Sequence, residues 1–189
     1  VGYYRDVIRS IGFSSTIVEL RKKQFNYLIE NYKLSGKKIV EIGCGHGECL
    51  EILKEFPVYA YGIENNEQSV QYAQKLGINV SRNYMEDKDT VIENGPFDAF
   101  ISFHYLEHQP NPNDMLQGIC NNLVEGGIGL IAVPSFEYVL QKDGYYELIR
   151  DHIAYYTSDT FELILKLNGF DILEKEIINE DSLSFIVKK

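Results

Sequence analysis

Three glycines on alternate positions, Gly43, Gly45 and Gly47, stand directly after an apolar run that ends in Val40-Glu41-Ile42. At the end of a strand this spacing makes a tight turn, over which a ligand can approach the backbone and the N-terminus of the next helix. A dinucleotide fingerprint places its third glycine three positions after the second, which here is Glu48, a charged residue close to where a pyrophosphate must sit. A nicotinamide dinucleotide therefore fits poorly. Glu64 closes the next apolar run about 20 residues further on, where a carboxylate accepts hydrogen bonds from both hydroxyls of a ribose.

A second set of reactive side chains lies in His104-Tyr105-Leu106-Glu107-His108 and in Asp151-His152. Histidine titrates near neutral pH and suits removal of a proton from a hydroxyl, so His108 and His152 are the catalytic candidates, with Glu107 or Asp151 to orient an imidazole. The first stretch also reads H-x-x-E-H, which in inverted zinc peptidases puts two histidines and a glutamate on one helix. Here the segment follows a strand and meets Pro110 and Pro112, so a metal-binding helix is not expected and no metal is assigned.

These residues resemble the class I S-adenosyl-L-methionine (SAM)-dependent methyltransferases, whose first motif, an acidic residue and then Gly-x-Gly-x-Gly, is matched by Glu41, Gly43, Gly45 and Gly47. The resemblance implies a seven-stranded sheet with an antiparallel last strand. It implies SAM as cofactor, held by the glycine motif and Glu64, with adenine near Met85 and Glu86 and the methionine part flanked by Phe103 and His104. Leu106-Glu107-His108, followed by Pro110, is similar to the loop that faces the methyl group in small-molecule methyltransferases. The segment 151–157 resembles one in methyltransferases acting on nucleotide sugars, quinones and antibiotics, which adds His152. In the sugar C-methyltransferases a tyrosine stands where this chain has Ile149, a departure that tells against carbon methylation. The implied function is methyl transfer to a small-molecule acceptor, a sugar, nucleotide sugar or natural-product intermediate, by positioning with a histidine as base. Two rivals remain. Glu107, His108 and His152 resemble three metal ligands of metal-assisted RNA 2′-O-methyltransferases, with His104 in place of that family's first ligand, a glutamate. The other rival is an inactive SAM-binding partner module, against which the intact glycine motif and the two loop histidines argue.

The elements that must position these residues alternate. Periodicity predicts helices over 16–32, 47–56, 67–76, 113–123 and 159–168, and strands over 38–42, 58–64, 78–80, 97–103, 128–133, 170–177 and 183–187. Thr16 with Glu19 offers a capping box and Ser158 an N-cap. Strands separated by helix-length segments pair in parallel, whereas the last two, joined by a few residues, suit an antiparallel hairpin. The fold class is thus α/β, a three-layer sandwich with a mostly parallel sheet. Residues 1–35 form an N-terminal helical segment, its aromatic start from Gly2 to Phe13 suited to a lid, and residues 36–189 form the SAM-binding domain.

With 189 residues, 44% of them hydrophobic and 24% charged, the chain holds a core without disulfides or a structural metal. A net charge of −10 repels polyanions and disfavours nucleic acid as partner. Three unpaired-spaced cysteines, Cys44, Cys49 and Cys120, point to a reducing compartment, the cytoplasm, and no apolar run reaches the length of a membrane span. Whether the chain is a monomer or a homodimer is open at this level.

Overall fold

A computed structural model describes residues 14–85 and 87–189. The lid expected between Gly2 and Phe13, and the adenine contact expected of Glu86, lie outside the described residues.

The chain order is α1 (Ser15–Asn31), β1 (Lys38–Ile42), α2 (Glu48–Leu53), β2 (Tyr59–Glu64), α3 (Glu67–Lys75), β3 (Val80–Arg82), β4 (Phe97–Phe103), a 3₁₀ turn (Leu106–His108), α4 (Pro112–Asn121), β5 (Leu123–Pro134), α5 (Phe136–Gln141), a second 3₁₀ turn (Tyr145–Glu147), α6 (Ser158–Leu167), β6 (Asp171–Ile178) and β7 (Ser182–Lys188). The strands form one sheet in the order β3-β2-β1-β4-β5-β7-β6. β1 to β5 pair in parallel, and β7 lies antiparallel between β5 and β6. Strand order reverses between β1 and β4, which opens a crevice beyond their C-terminal ends, where ligands bind in open α/β sheets.

Each face of the sheet carries its own core. Val40, Ile42 and Phe100 pack with Leu116 and Ile119 of α4 and Phe161 of α6. On the opposite face Ile39, Ala99 and Ile101 pack with Phe25 and Leu28 of α1, Leu50 of α2 and Val70 of α3. The two-residue period of β1 therefore sends Glu41 to the same side as Ile39, under α1 and α2. α1 contributes fully buried Phe25, so this part of residues 1–35 is built into the sandwich and does not stand over it.

Several boundaries differ from expectation, each for a local reason. The cap of α1 is Ser14, whose Oγ accepts from Ile17 N at 3.2 Å, and not the Thr16/Glu19 pair. The cap of α6 is Thr157, in a capping box with Thr160, and not Ser158. Ile78 N donates to Ala73 O and so finishes α3, which delays β3 to Val80. Periodicity leaves Gly126 and Gly127 between the helix over 113–123 and the strand over 128–133. They instead lie inside a longer β5, where the register against β4 shifts between Phe97 and Ala99. The six-residue α5 is too short for periodicity to reveal; Ser135 caps it by accepting from Tyr138 N.

Candidate active site

Beyond β1 the backbone turns through Gly43 and Gly45, with φ of +75° and +54°. The two glycines serve different ends. A Cβ on Gly43 would lie 2.3 Å from the ring of Tyr105, so this glycine lets the loop after β4 close against the turn, whereas a Cβ on Gly45 meets only Glu48 Oε2 at 3.6 Å. The open side for a ligand is therefore at Gly45. Gly47, at φ +84°, caps α2 and packs against Ile78.

Glu64, at the end of β2, is drawn into the same turn: its Oε2 accepts from Gly45 N at 3.0 Å and its Oε1 from Asn66 N at 2.8 Å. Each carboxylate oxygen keeps a lone pair for an outside hydroxyl, as a ribose diol requires. Glu41 is buried with its Oε2 unpartnered among the described residues, and burial pushes the pKa of its carboxyl up to about 8. Arg21 of α1 lies 3.6 Å over the Phe103 ring, and burial lowers its pKa against the pull of Cys49 and Glu41. An open glycine, a carboxylate with free lone pairs, a buried acid with one unpartnered oxygen and a guanidinium together fit an adenosyl group carrying an amino-acid end.

Beyond β4 the chain enters a tight loop at His104, a non-glycine residue with φ +50°. The 3₁₀ turn that follows drives Glu107 inward until only 1% of it is exposed, with neither carboxylate oxygen hydrogen-bonded among the described residues. Burial raises its pKa to about 8. Three imidazoles approach its Oε1: His104 Nδ1 at 3.7 Å, His108 Nε2 at 3.8 Å and His152 Nε2 at 4.0 Å. His108 Nδ1 donates to the Asp151 carbonyl at 2.7 Å, which leaves the lone pair on Nε2. The Glu107 carbonyl accepts from Ile153 N and Ala154 N at 3.0 and 3.2 Å, clamping the His152 segment to the β4 loop. Burial, then His108, lowers the pKa of His152 to about 4.

The structure thus brings Glu41, Gly43, Gly45, Gly47 and Glu64 to one half of the crevice and His104, His108 and His152 to the other. Phe103 lies between them under Arg21. Asp151 orients His108 through its carbonyl and not its carboxylate. The Met85 side chain is 2% exposed and packed in the core with α4, which leaves its backbone as the part that can meet an adenine. Sequence reasoning missed Arg21, Tyr105 and Tyr156, the last with a buried hydroxyl that is unpartnered among the described residues. Tyr105 carried a signal, lying next to His104 in the β4 loop. Arg21 reaches the site only by packing, and nothing in its helix marks it.

A family model described as a methyltransferase domain matches residues 16–175. A ubiquinone biosynthesis O-methyltransferase of Cupriavidus pinatubonensis is 28% identical over 174 residues, covering 81% of this chain and 68% of that protein. The protein of the same name from Chromobacterium violaceum is 26% identical over 140 residues, 65% of this chain and 60% of its own length. The chain thus spans 60% of that relative, and 49% of another from Pseudomonas fluorescens. Magnesium protoporphyrin IX methyltransferase of Synechocystis PCC 6803, solved with bound SAH, shares the fold with a TM-score of 0.75 at 16% identity, over 100% of this chain and 94% of that one. With the family model spanning most of its length, the chain belongs to the methyltransferase domain family, in the class I fold that takes SAM as its cofactor.

Proposed function

We propose that this domain transfers the methyl group of SAM to a hydroxyl oxygen of a small-molecule acceptor, a sugar, nucleotide sugar or natural-product intermediate. The observation that carries this reading is the convergence of His104, His108 and His152 on Glu107 beyond β4, across the crevice from the glycine turn. The names of the relatives, O-methyltransferases, support oxygen as the accepting atom.

SAM supplies a sulfonium methyl, which is already a strong electrophile. The chain's task is to hold a nucleophile in line with it and exclude water. Glu64 holds the ribose and Gly45 leaves the approach open. Arg21 and Glu41 face the carboxylate and ammonium of the methionine part. His108, its Nδ1–H committed to the Asp151 carbonyl, offers the Nε2 lone pair to the acceptor's hydroxyl proton. His152 is held neutral at pH 7 by burial, its pKa lowered to about 4, so its part is to accept a hydrogen bond.

Calorimetric titration with SAM, S-adenosylhomocysteine and NAD⁺, followed by a hydroxyl-acceptor panel read by S-adenosylhomocysteine release, tests this. Micromolar binding of the two adenosyl ligands with turnover of a hydroxyl acceptor is expected. Binding of NAD⁺ alone overturns the reading, and cofactor binding without turnover across the panel replaces it with the partner-module reading.

A further inference from the structure

One residue past His108, at the end of the 3₁₀ turn Leu106–His108, the buried side chain of Gln109 is a polar amide and not an apolar group. A buried amide costs free energy unless its ends find partners, and here both ends do. Its Nε2 donates to the Tyr105 carbonyl at 3.2 Å and its Oε1 accepts from the Tyr84 hydroxyl at 3.0 Å. A carbonyl only accepts, so the amide nitrogen must face Tyr105 and the amide oxygen Tyr84. The same Tyr105 carbonyl accepts from His108 N at 3.2 Å, and Gln109 N donates to the Leu106 carbonyl at 3.1 Å, so the Gln109 side chain closes the turn that carries His108.

Tyr84 comes from another part of the chain, the loop after β3 that also carries Met85. Its neighbour Asn83 fixes it there: Asn83 Oδ1 accepts from Tyr84 N at 2.7 Å, Asn83 N donates to the Glu64 carbonyl at 3.2 Å, and Asn83 Nδ2 donates to the Val91 carbonyl at 3.1 Å. Hydrogen bonds therefore run without a break from Glu64 at the end of β2, through Asn83, Tyr84 and Gln109, to the turn beyond β4. Burial, then Tyr84 and Glu64, raise the pKa of Tyr105, whose ring lies against Gly43, so this path passes alongside the glycine turn. The same turn is anchored separately to residues 151–154, through His108 Nδ1 and the Glu107 carbonyl.

We propose that Gln109 is a positioning residue: through Tyr84 it couples the loop at the adenosyl end of the cofactor to the turn that carries His108, so that occupancy of the cofactor half fixes the base of the acceptor half. The proposal rests on the O-methylation reading, in which His108 takes the acceptor's proton. Methyl transfer needs the acceptor oxygen, the sulfonium methyl and the base held in one geometry, and a misplacement of about 1 Å costs about 100-fold in rate. Loops after two different strands shift independently unless something bonds them. A buried polar network with its members satisfied is rigid enough to make them shift together.

The test follows amide hydrogen exchange of residues 104–109, with and without saturating S-adenosylhomocysteine, in the parent, Tyr84→Phe and Gln109→Met. Tyr84→Phe removes one hydroxyl and keeps the ring, so it carries the test even where Gln109→Met fails to fold. The ligand should slow exchange at the His108 and Gln109 amides by about 10-fold in the parent and by less than about 2-fold in both variants, while its calorimetric affinity stays within about 3-fold. With an acceptor that the hydroxyl panel turns over, kcat should fall about 10-fold in each variant at unchanged KM for SAM. The double variant should be no slower than Gln109→Met alone, because the two residues act as one unit. A merely structural role would lower the urea midpoint and leave kcat and the ligand's effect on exchange as in the parent. That result overturns the proposal, as does multiplication of the two effects in the double variant. A parent that binds no S-adenosylhomocysteine overturns the cofactor reading instead, whereas a parent that binds it with no slowing in the turn overturns the coupling alone.

Discussion

At the scale of single residues, the cofactor half turns on two groups that other residues already hold in place. Gly45 has left-handed φ and an open side, so Gly45→Val both strains the turn and fills the approach to it. Calorimetry should show SAM binding lost while circular dichroism shows the fold retained. Glu64 is aimed by Gly45 N and Asn66 N, and Glu64→Ala should weaken SAM binding by about 1–3 kcal/mol, the usual cost of losing hydrogen bonds to a charged group. Glu41 supplies a pH signature. In the unfolded chain its carboxyl ionises near 4.5, whereas in the folded protein burial holds the proton on it to about 8. Stability from this group is therefore full at low pH and is lost as pH rises from 4.5 through about 8. Glu41→Gln should flatten that part of the curve, measured as the difference in urea midpoint between pH 5 and pH 8. A slope equal to the parent's would show that Glu41 is ionised in the folded protein.

At the scale of elements, α1 and the β4 loop do what no motif records. α1 seals one face of the sheet with Phe25 and Leu28 and from the same turns presents Arg21 to Phe103. Phe25 is fully buried, so Phe25→Ala should cost about 3–5 kcal/mol in urea unfolding. A loss within the error of the measurement would mean that α1 is not part of the folded core. Strand and helix types were legible because their periods differ, 2.0 against 3.6. Boundaries were less so, because caps compete locally: Ser14 and Thr157 outbid Thr16 and Ser158 by hydrogen bonds that depend on where the chain enters the helix. The β4 loop was legible as a motif, yet the inward turn of Glu107 follows from a 3₁₀ turn that only packing against residues 153–154 fixes.

At the scale of the whole molecule, strand order puts the glycine turn and the histidine cluster at one crevice, and net charge bounds what enters it. At −10 the molecule repels polyanions, so no binding of single-stranded RNA is expected in low salt, with or without Mg²⁺ or Mn²⁺, by fluorescence anisotropy. Salt-sensitive micromolar binding would revive the RNA 2′-O-methyltransferase reading. No helix among the described residues is long and apolar enough to cross a membrane. The amino-acid sequence by itself determined the α/β class, the glycine turn with Glu41 and Glu64, and the residue types of the β4 loop, because each is encoded within a few consecutive positions. Only the tertiary structure decided that His152 closes on Glu107 and His108, that Arg21 reaches the cofactor half, and that Met85 turns into the core. Those depend on strand order and helix packing between distant segments, which local periodicity does not carry.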